Sequence, residues 1–306
     1  MHDLGFVSAI LADKSFEKVI TFAGENQFKC VEIMCWPVGK AERRYAGVTH
    51  INVEELNSKK VDYINGFLKE KGVYISGLGY YPNPLDPDAE TSQKAFDHIT
   101  KVIEGAAKLG IPVVNTFIGR DPQHSVEDNL KIFAEKWPFV IKYAESLGIN
   151  IGIENCPMIF TNDEWPGGKN LATTPAIWDK MFEIIPNSNF GLNYDPSHLV
   201  WQHMDEVQPI YDFKDRLHHI HLKDVKLHID KLNRHGIMAY PLVYHSPKIP
   251  GLGDVRWKDF FSALTSVGYR GPCCIEVEDR AFEESEDDIR NSILQSRNYL
   301  SQFLVL

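Results

Sequence analysis

One unit recurs along the chain: a short apolar run, a polar loop, then an amphipathic segment of roughly 12 to 22 residues. The apolar runs fall at 5–11, 30–36, 74–80, 113–118, 149–154, from Phe190 to Asp195, at 217–223 and at 273–277. Runs this short and this continuous read as strands buried on both faces, the pattern of a parallel sheet covered by helices. The segments between them carry helix signals. Ser15 stands as a cap ahead of Phe16, Val19, Ile20 and Ala23, and Gly110 closes a segment whose apolar face is Ala95, Ile99, Val102, Ile103 and Ala106. Pro138 falls inside the pattern of 126–147, where a kink or break is expected.

Eight such units in 306 residues fit an α/β fold, a single (β/α)8 TIM barrel spanning 1–306. An open doubly wound sheet is the alternative. It would place a G-x-G-x-x-G turn after the first strand, and none stands there. Gly251-Leu252-Gly253 comes late, without a preceding strand, and is a weak signal for phosphate binding. A barrel assembles its active site from the loops after its strands, and three of these are long, at about 37–50, 155–172 and 225–254. Loops of that length are uncommon unless they cover something.

Composition narrows the function. With 43% hydrophobic and 24% charged residues the chain can bury a large core, and no stretch approaches a membrane span. The N-terminus has no basic region or small-residue cleavage site, so a cytoplasmic location is expected. A net charge of −10 argues against a nucleic-acid partner, whose phosphates a binding protein must neutralise. The five cysteines, Cys30, Cys35, Cys156, Cys273 and Cys274, have no disulfide or zinc-ribbon spacing and read as buried thiols. A short basic concentration, from Lys223 through Lys226 to Arg234 and His235, suits one small anionic or polyol ligand.

The chemistry gathers where strands end. Gly191-Leu192-Asn193-Tyr194-Asp195-Pro196-Ser197-His198 is an apolar run that stops in a carboxylate, a proline and an imidazole. Glu154 ends the fifth run, His221 lies on the seventh and Glu276 on the eighth. Consecutive barrel strands bring such ends within reach of one ion, and three oxygens plus one nitrogen suit a divalent cation. The expected ligands are therefore Glu154, Asp195, His221 and Glu276. Mn²⁺ heads the choice, with Mg²⁺, Co²⁺ or Zn²⁺ as alternatives. His219 faces the same way as His221 and is expected to orient a neighbour rather than ligate.

The segments Ile153-Glu154-Asn155, Asp195-Pro196-Ser197-His198, His219-Ile220-His221-Leu222-Lys223-Asp224, Pro250-Gly251-Leu252-Gly253 and Ile275-Glu276 together resemble the xylose isomerase-like TIM barrels that include sugar phosphate isomerases and epimerases. The resemblance runs over nearly the whole chain. In the ketose 3-epimerases of that group a Glu, Asp, His, Glu set holds the ion, and the two glutamates act on opposite faces of the sugar. The resemblance implies that Glu154 and Glu276 are catalytic, that His198 contacts substrate, and that the protein forms a dimer or tetramer. Lys223, Arg234, Trp36 and Tyr81 are further substrate-binding candidates, with Trp165 and Trp201 as other aromatic residues near the long loops.

The expected activity is that of a metal-dependent isomerase or epimerase acting on a small carbohydrate, a sugar, keto-sugar or polyol. It would remove a proton next to a carbonyl, with the ion stabilising the enediolate. A lyase resembling inosose dehydratases or 3-keto-glycoside-eliminating enzymes is the alternative, and a catalytically idle sugar-binding barrel stands behind it. A nuclease of the same barrel is disfavoured by the acidic balance; Asn233-Arg234-His235 only faintly resembles the D-R-H element of those enzymes. The chain departs from the ketose epimerases at Phe160, where they carry a further Glu, and in Trp165-Pro166-Gly167-Gly168.

Overall fold

A computed structural model describes residues 2–39, 45–159, 161–165 and 167–304. Eight parallel strands close into one barrel: β1 (Asp3–Val7), β2 (Cys30–Met34), β3 (Tyr74–Gly79), β4 (Val113–Thr116), β5 (Asn150–Glu154), β6 (Phe190–Tyr194), β7 (Leu217–Leu222) and β10 (Pro272–Ile275). Around the ring the order is β1, β10, β7, β6, β5, β4, β3, β2, so every strand has two neighbours and the sheet has no edge. The open-sheet alternative is thereby excluded. β8 (Asp224–Leu227) and β9 (His245–Lys248) pair antiparallel outside the barrel.

Helices cover the ring: α1 (Phe16–Glu25), α2 (Ser58–Lys71), α3 (Ala89–Leu109), α4 (Val126–Ser146), α5 (Pro175–Ile184), α6 (Trp257–Ser266) and α7 (Glu286–Leu300). Ser15, Asn57, Asp88, Ser125 and Ser285 each cap a helix by accepting a backbone N–H with the side chain, a contact that typically contributes about 1 kcal/mol. α4 runs unbroken from Val126 to Ser146 with Pro138 inside it, so the expected break does not occur. The segment 207–216 does break, into a short helix at Gln208–Asp212 and a 3₁₀ turn at Lys214–Arg216.

Strands are shorter than the apolar runs that announce them. The first ends at Val7 and passes into a 3₁₀ turn over Ser8–Leu11, and the second ends at Met34 while Cys35 stays buried beyond it. The extra apolar residues pack under loops, so hydrophobicity overshoots the ladder. Within the strands the two-residue period sorts the faces. Phe6, Val31, Ile33, Ile151, Ile153, Phe190, Leu192, Ile220 and Ile275 face the helices in the main core. Glu32, Asn193, His219, His221 and Cys274 point into a polar barrel interior. At Gly79 a Cβ would lie 2.6 Å from Glu32 Oε1, so only glycine leaves room for that carboxylate.

The stretch 225–254 is folded rather than a bare loop. It contains the β8–β9 hairpin, a short helix over Ile229–His235 and a 3₁₀ turn at Pro241–Val243. Buried Asp224 ties it down. Its Oδ1 accepts the N–H groups of Val225 and Val255, and its Oδ2 those of Gly251, Gly253 and the Trp257 indole. This explains the late glycines. Gly251 sits at φ +95, and a Cβ on Gly253 would lie 2.1 Å from Asp224 Oδ1. The anion in this cradle is the chain's own carboxylate, so the phosphate signal is corrected. No helix among the described residues is long and apolar enough to cross a membrane.

Candidate metal centre

β5, β6, β7 and β10 are consecutive around the barrel, and each delivers a side chain at or just past its C-terminal end. His221 Nδ1 lies 3.8 Å from Glu154 Oε1 and 3.5 Å from Glu276 Oε2, and the three ligand atoms fall within 4.8 Å of one another. Asp195 joins from the β6 end. Its Oδ1 accepts the Ser197 N–H at 2.8 Å, while its Oδ2 turns to the same cluster, 3.3 Å from His198 Nε2. The proline after Asp195 stops the ladder and starts the turn that brings His198 back over the rim.

Lys223 Nζ sits among these acids, 2.7 Å from Glu276, 3.0 Å from Asp195, 3.2 Å from Glu278 and 3.9 Å from Glu154. Burial opposes charge on this ammonium, but Asp195 and Glu276 override it and hold Lys223 well above its usual range. Burial also works to raise the Glu154 carboxyl, and the His198 and His221 rings with Lys223 hold it well below.

The fit to a cation rests on excess negative charge and on buried atoms that stand in ion-pair range of one another without a well-formed hydrogen bond. Asp195 Oδ2, His221 Nδ1 and His198 Nε2 are buried and make no hydrogen bond, an expensive arrangement for a protein to keep. Glu32, Glu154, Asp195 and Glu276 face one ammonium and two imidazoles. Even with both rings protonated the cluster keeps a net negative charge. Three carboxylates and one imidazole nitrogen suit a divalent metal, which Glu154, Asp195, His221 through Nδ1, and Glu276 could hold.

Glu32 completes the arrangement and was missed by sequence reasoning. It is fully buried; its Oε2 accepts from His221 Nε2 at 2.6 Å and its Oε1 from the Tyr81 hydroxyl. A carboxylate on the far nitrogen fixes the ring and leaves Nδ1 free to ligate. The available signal was an acid inside a strand that is otherwise apolar. His219 lies one layer below, bonded to Asn193 Oδ1 at 2.9 Å and Ser76 Oγ at 3.0 Å. Burial lowers its pKa. Asn193 in turn donates to the Tyr81 hydroxyl at 3.0 Å. Glu32, His219 and His221 also cluster as metal-capable groups, but both His219 nitrogens, His221 Nε2 and both Glu32 oxygens are spent on these bonds.

A cavity of about 350 Å³ opens above the centre, lined by His198, Lys223, Cys156, Trp201, His245 and Glu278 among others. Cys156 is therefore half-exposed to it, and the reading of all five cysteines as buried thiols holds for the other four. Trp36, Tyr81 and Arg234 are not among the lining residues. Trp36 meets Tyr80 edge-on at 4.9 Å, Tyr81 supports Glu32, and Arg234 is exposed on the Ile229–His235 helix. Trp165 packs partly buried on the core. Phe160, Pro166, Arg43 and Arg44 lie outside the described residues.

A family model for the xylose isomerase-like TIM barrel matches residues 20–299. The chain belongs to that family. The uncharacterized protein YfiH of Bacillus subtilis (strain 168) is 25% identical over 333 residues, covering 98% of this chain and 99% of the relative. An inosose dehydratase of Clostridium perfringens (strain 13 / Type A) is 27% identical over 249 residues, covering 78% and 80%. Two solved structures share the fold across 99% of this chain and 100% of their own, each at 14% identity. They are an IolI protein with a bound zinc atom, TM-score 0.74, and a D-psicose 3-epimerase from Clostridium cellulolyticum H10 with D-tagatose, TM-score 0.70.

Proposed function

We propose that this protein is a divalent-metal-dependent enzyme that moves a proton at the carbon beside a carbonyl of a keto-sugar or related polyol, giving isomerisation or epimerisation. The observation that carries the reading is the convergence of Asp195 Oδ2 and His221 Nδ1, neither in a well-formed hydrogen bond, between two glutamates at the rim. Glu154 on β5 and Glu276 after β10 stand at the two ends of the ligand arc, with β6 and β7 between them. One carboxylate takes the proton from the substrate carbon; the other returns a proton from the opposite side. A divalent ion, Mn²⁺ first, supplies Lewis-acid polarisation of the carbonyl and its neighbouring hydroxyl when bound. Lys223 adds positive charge beside the oxygen on which negative charge develops. Names among the relatives and neighbours, dehydratase and epimerase alike, support proton removal as the shared step.

Lys223 also favours a second reading. The ammonium 2.7 Å from Glu276 can steady a departing hydroxyl, and a glutamate that has taken the proton from carbon can pass it to that oxygen, which turns the same carbanion chemistry into elimination of water. The substrate in either case is a small carbohydrate, and we place the enzyme in the cytoplasm as a homo-oligomer.

The test is deuterium wash-in with Mn²⁺-loaded protein and a panel of ketoses, inososes and 3-keto-glycosides, read by NMR and mass spectrometry. Deuterium entering beside the carbonyl without loss of other mass, and absent in Glu154→Gln and Glu276→Gln, is the expected result. Loss of water moves the assignment to a lyase. No exchange with any member of the panel, at confirmed metal occupancy, overturns both readings.

A further inference from the structure

His198 has both ring nitrogens in informative places. The Trp201 indole Nε1 lies 3.3 Å from His198 Nδ1. An indole N–H can only donate, so Nδ1 has to accept, and a neutral imidazole then carries its proton on Nε2. That Nε2 is buried, has no hydrogen-bond partner, and sits 3.3 Å from Asp195 Oδ2 and 3.5 Å from Glu154 Oε1 at the cavity floor.

The indole is itself held. It stacks on His245 with ring centroids 5.0 Å apart and planes 4° apart. His245 Nδ1 is anchored by the Pro241 carbonyl at 2.7 Å, in the folded excursion over the barrel mouth. Burial keeps His245 neutral by lowering its pKa to about 4, so no charge disturbs the stack near neutrality. The excursion thus presses one face of Trp201 and aims its N–H at His198.

We propose that Trp201 is a positioning residue that fixes the tautomer of His198, so that His198 offers an Nε2–H donor to a substrate oxygen at the cation site rather than a lone pair to a metal. The inference rests on the proposed function for the identity of that oxygen, a carbonyl or hydroxyl of the polyol; the tautomer stands on geometry alone. One consequence concerns Glu154, Cys156 and His198, whose ligand atoms also lie within 4.8 Å of one another. A metal on Nε2 would force the proton onto Nδ1, against the indole N–H. The tautomer therefore disfavours this second cluster as a metal site, and the centre is expected to take one ion.

The experiment is long-range proton–nitrogen NMR on protein labelled at its twelve histidines, with His198 assigned by its loss in His198→Gln. The wild-type spectrum is expected to show the Nε2–H tautomer at His198, with Nδ1 unprotonated. Trp201→Phe, which keeps the stack and removes only the N–H, is expected to yield a mixture of tautomers. In that variant kcat on any substrate found by the wash-in panel is expected to fall about tenfold, with KM changing less. Titration with Zn²⁺ is expected to saturate at one equivalent in both wild type and Cys156→Ala. An Nδ1–H tautomer in the wild type overturns the proposal without recourse to any variant, as does an unchanged tautomer in Trp201→Phe. A second zinc equivalent that disappears in Cys156→Ala overturns the exclusion of the second cluster. If the tautomer is as stated while no carbohydrate exchanges deuterium, the proposed function fails and the role of Trp201 stands.

Discussion

Asp195 and Asp224 are both fully buried, both follow a barrel strand, and do opposite work. Asp224 accepts five hydrogen bonds from its own chain and has no lone pair pointed at empty space. Asp195 satisfies one oxygen on the Ser197 N–H and leaves the other without a hydrogen bond. A buried carboxylate is costly unless its charge is met. Asp224 meets that cost internally and so holds structure. Asp195 meets it with the Lys223 ammonium, which three further carboxylates share, and so lies in a cluster left with excess negative charge. The same contrast separates His219, with both nitrogens bonded, from His221, with Nδ1 open.

The largest effect is expected at the open cluster: Glu154→Gln and Glu276→Gln should each lower deuterium exchange by about 10²–10⁴-fold while leaving the urea unfolding midpoint of the metal-free protein nearly unchanged. A parallel loss of stability would mean that these acids are structural, as Asp224 is.

At the closed cluster the signs reverse. Asp224→Asn replaces one acceptor oxygen by an amide that faces N–H donors, and should cost about 3 kcal/mol in urea unfolding. Metal bound per chain should stay the same in whatever fraction remains folded. Asp195→Asn is the matched control; it should lose the metal and cost less than Asp224→Asn in the metal-free protein, since Glu276 and Glu278 still face Lys223 and the cluster sheds one of its excess negative charges. Equal destabilisation by the two substitutions would erase the distinction.

Glu32→Gln tests the support behind His221. It keeps the shape and removes the carboxylate, and metal affinity measured by competition with a chelator should fall about 10–100-fold. The smallest effect is expected at Gly253→Ala, where the new methyl meets Asp224 and the excursion shifts, at about 1 kcal/mol or somewhat more. Full stability in that variant would show that the cradle yields without strain.

Much of this was legible along the chain because it depends on local order. Strand positions follow from apolar runs, and the caps at Ser15 and Gly110 follow from the groups that helix ends leave unpaired. The four strand-end residues were legible for a related reason, since polar groups at the ends of apolar runs need a special environment. The excursion after β7 was not, because its hairpin pairs short, mixed segments such as Lys226 with Ser246, where no alternation stands out. Nor did the sequence distinguish glycines that cradle a phosphate from glycines that cradle Asp224. Both uses need the same missing Cβ.

The repeating strand and helix order, and the polar residues at each strand end, can be read from the chain because periodicity and capping act between residues a few positions apart. Only the closed barrel decided which polar groups are satisfied. Glu32 reaches His221 across 189 positions of chain, and ring closure alone brings them to 2.6 Å. Whether a buried atom finds a partner depends on every strand around it, and that is the property that separates Asp195 from Asp224 here.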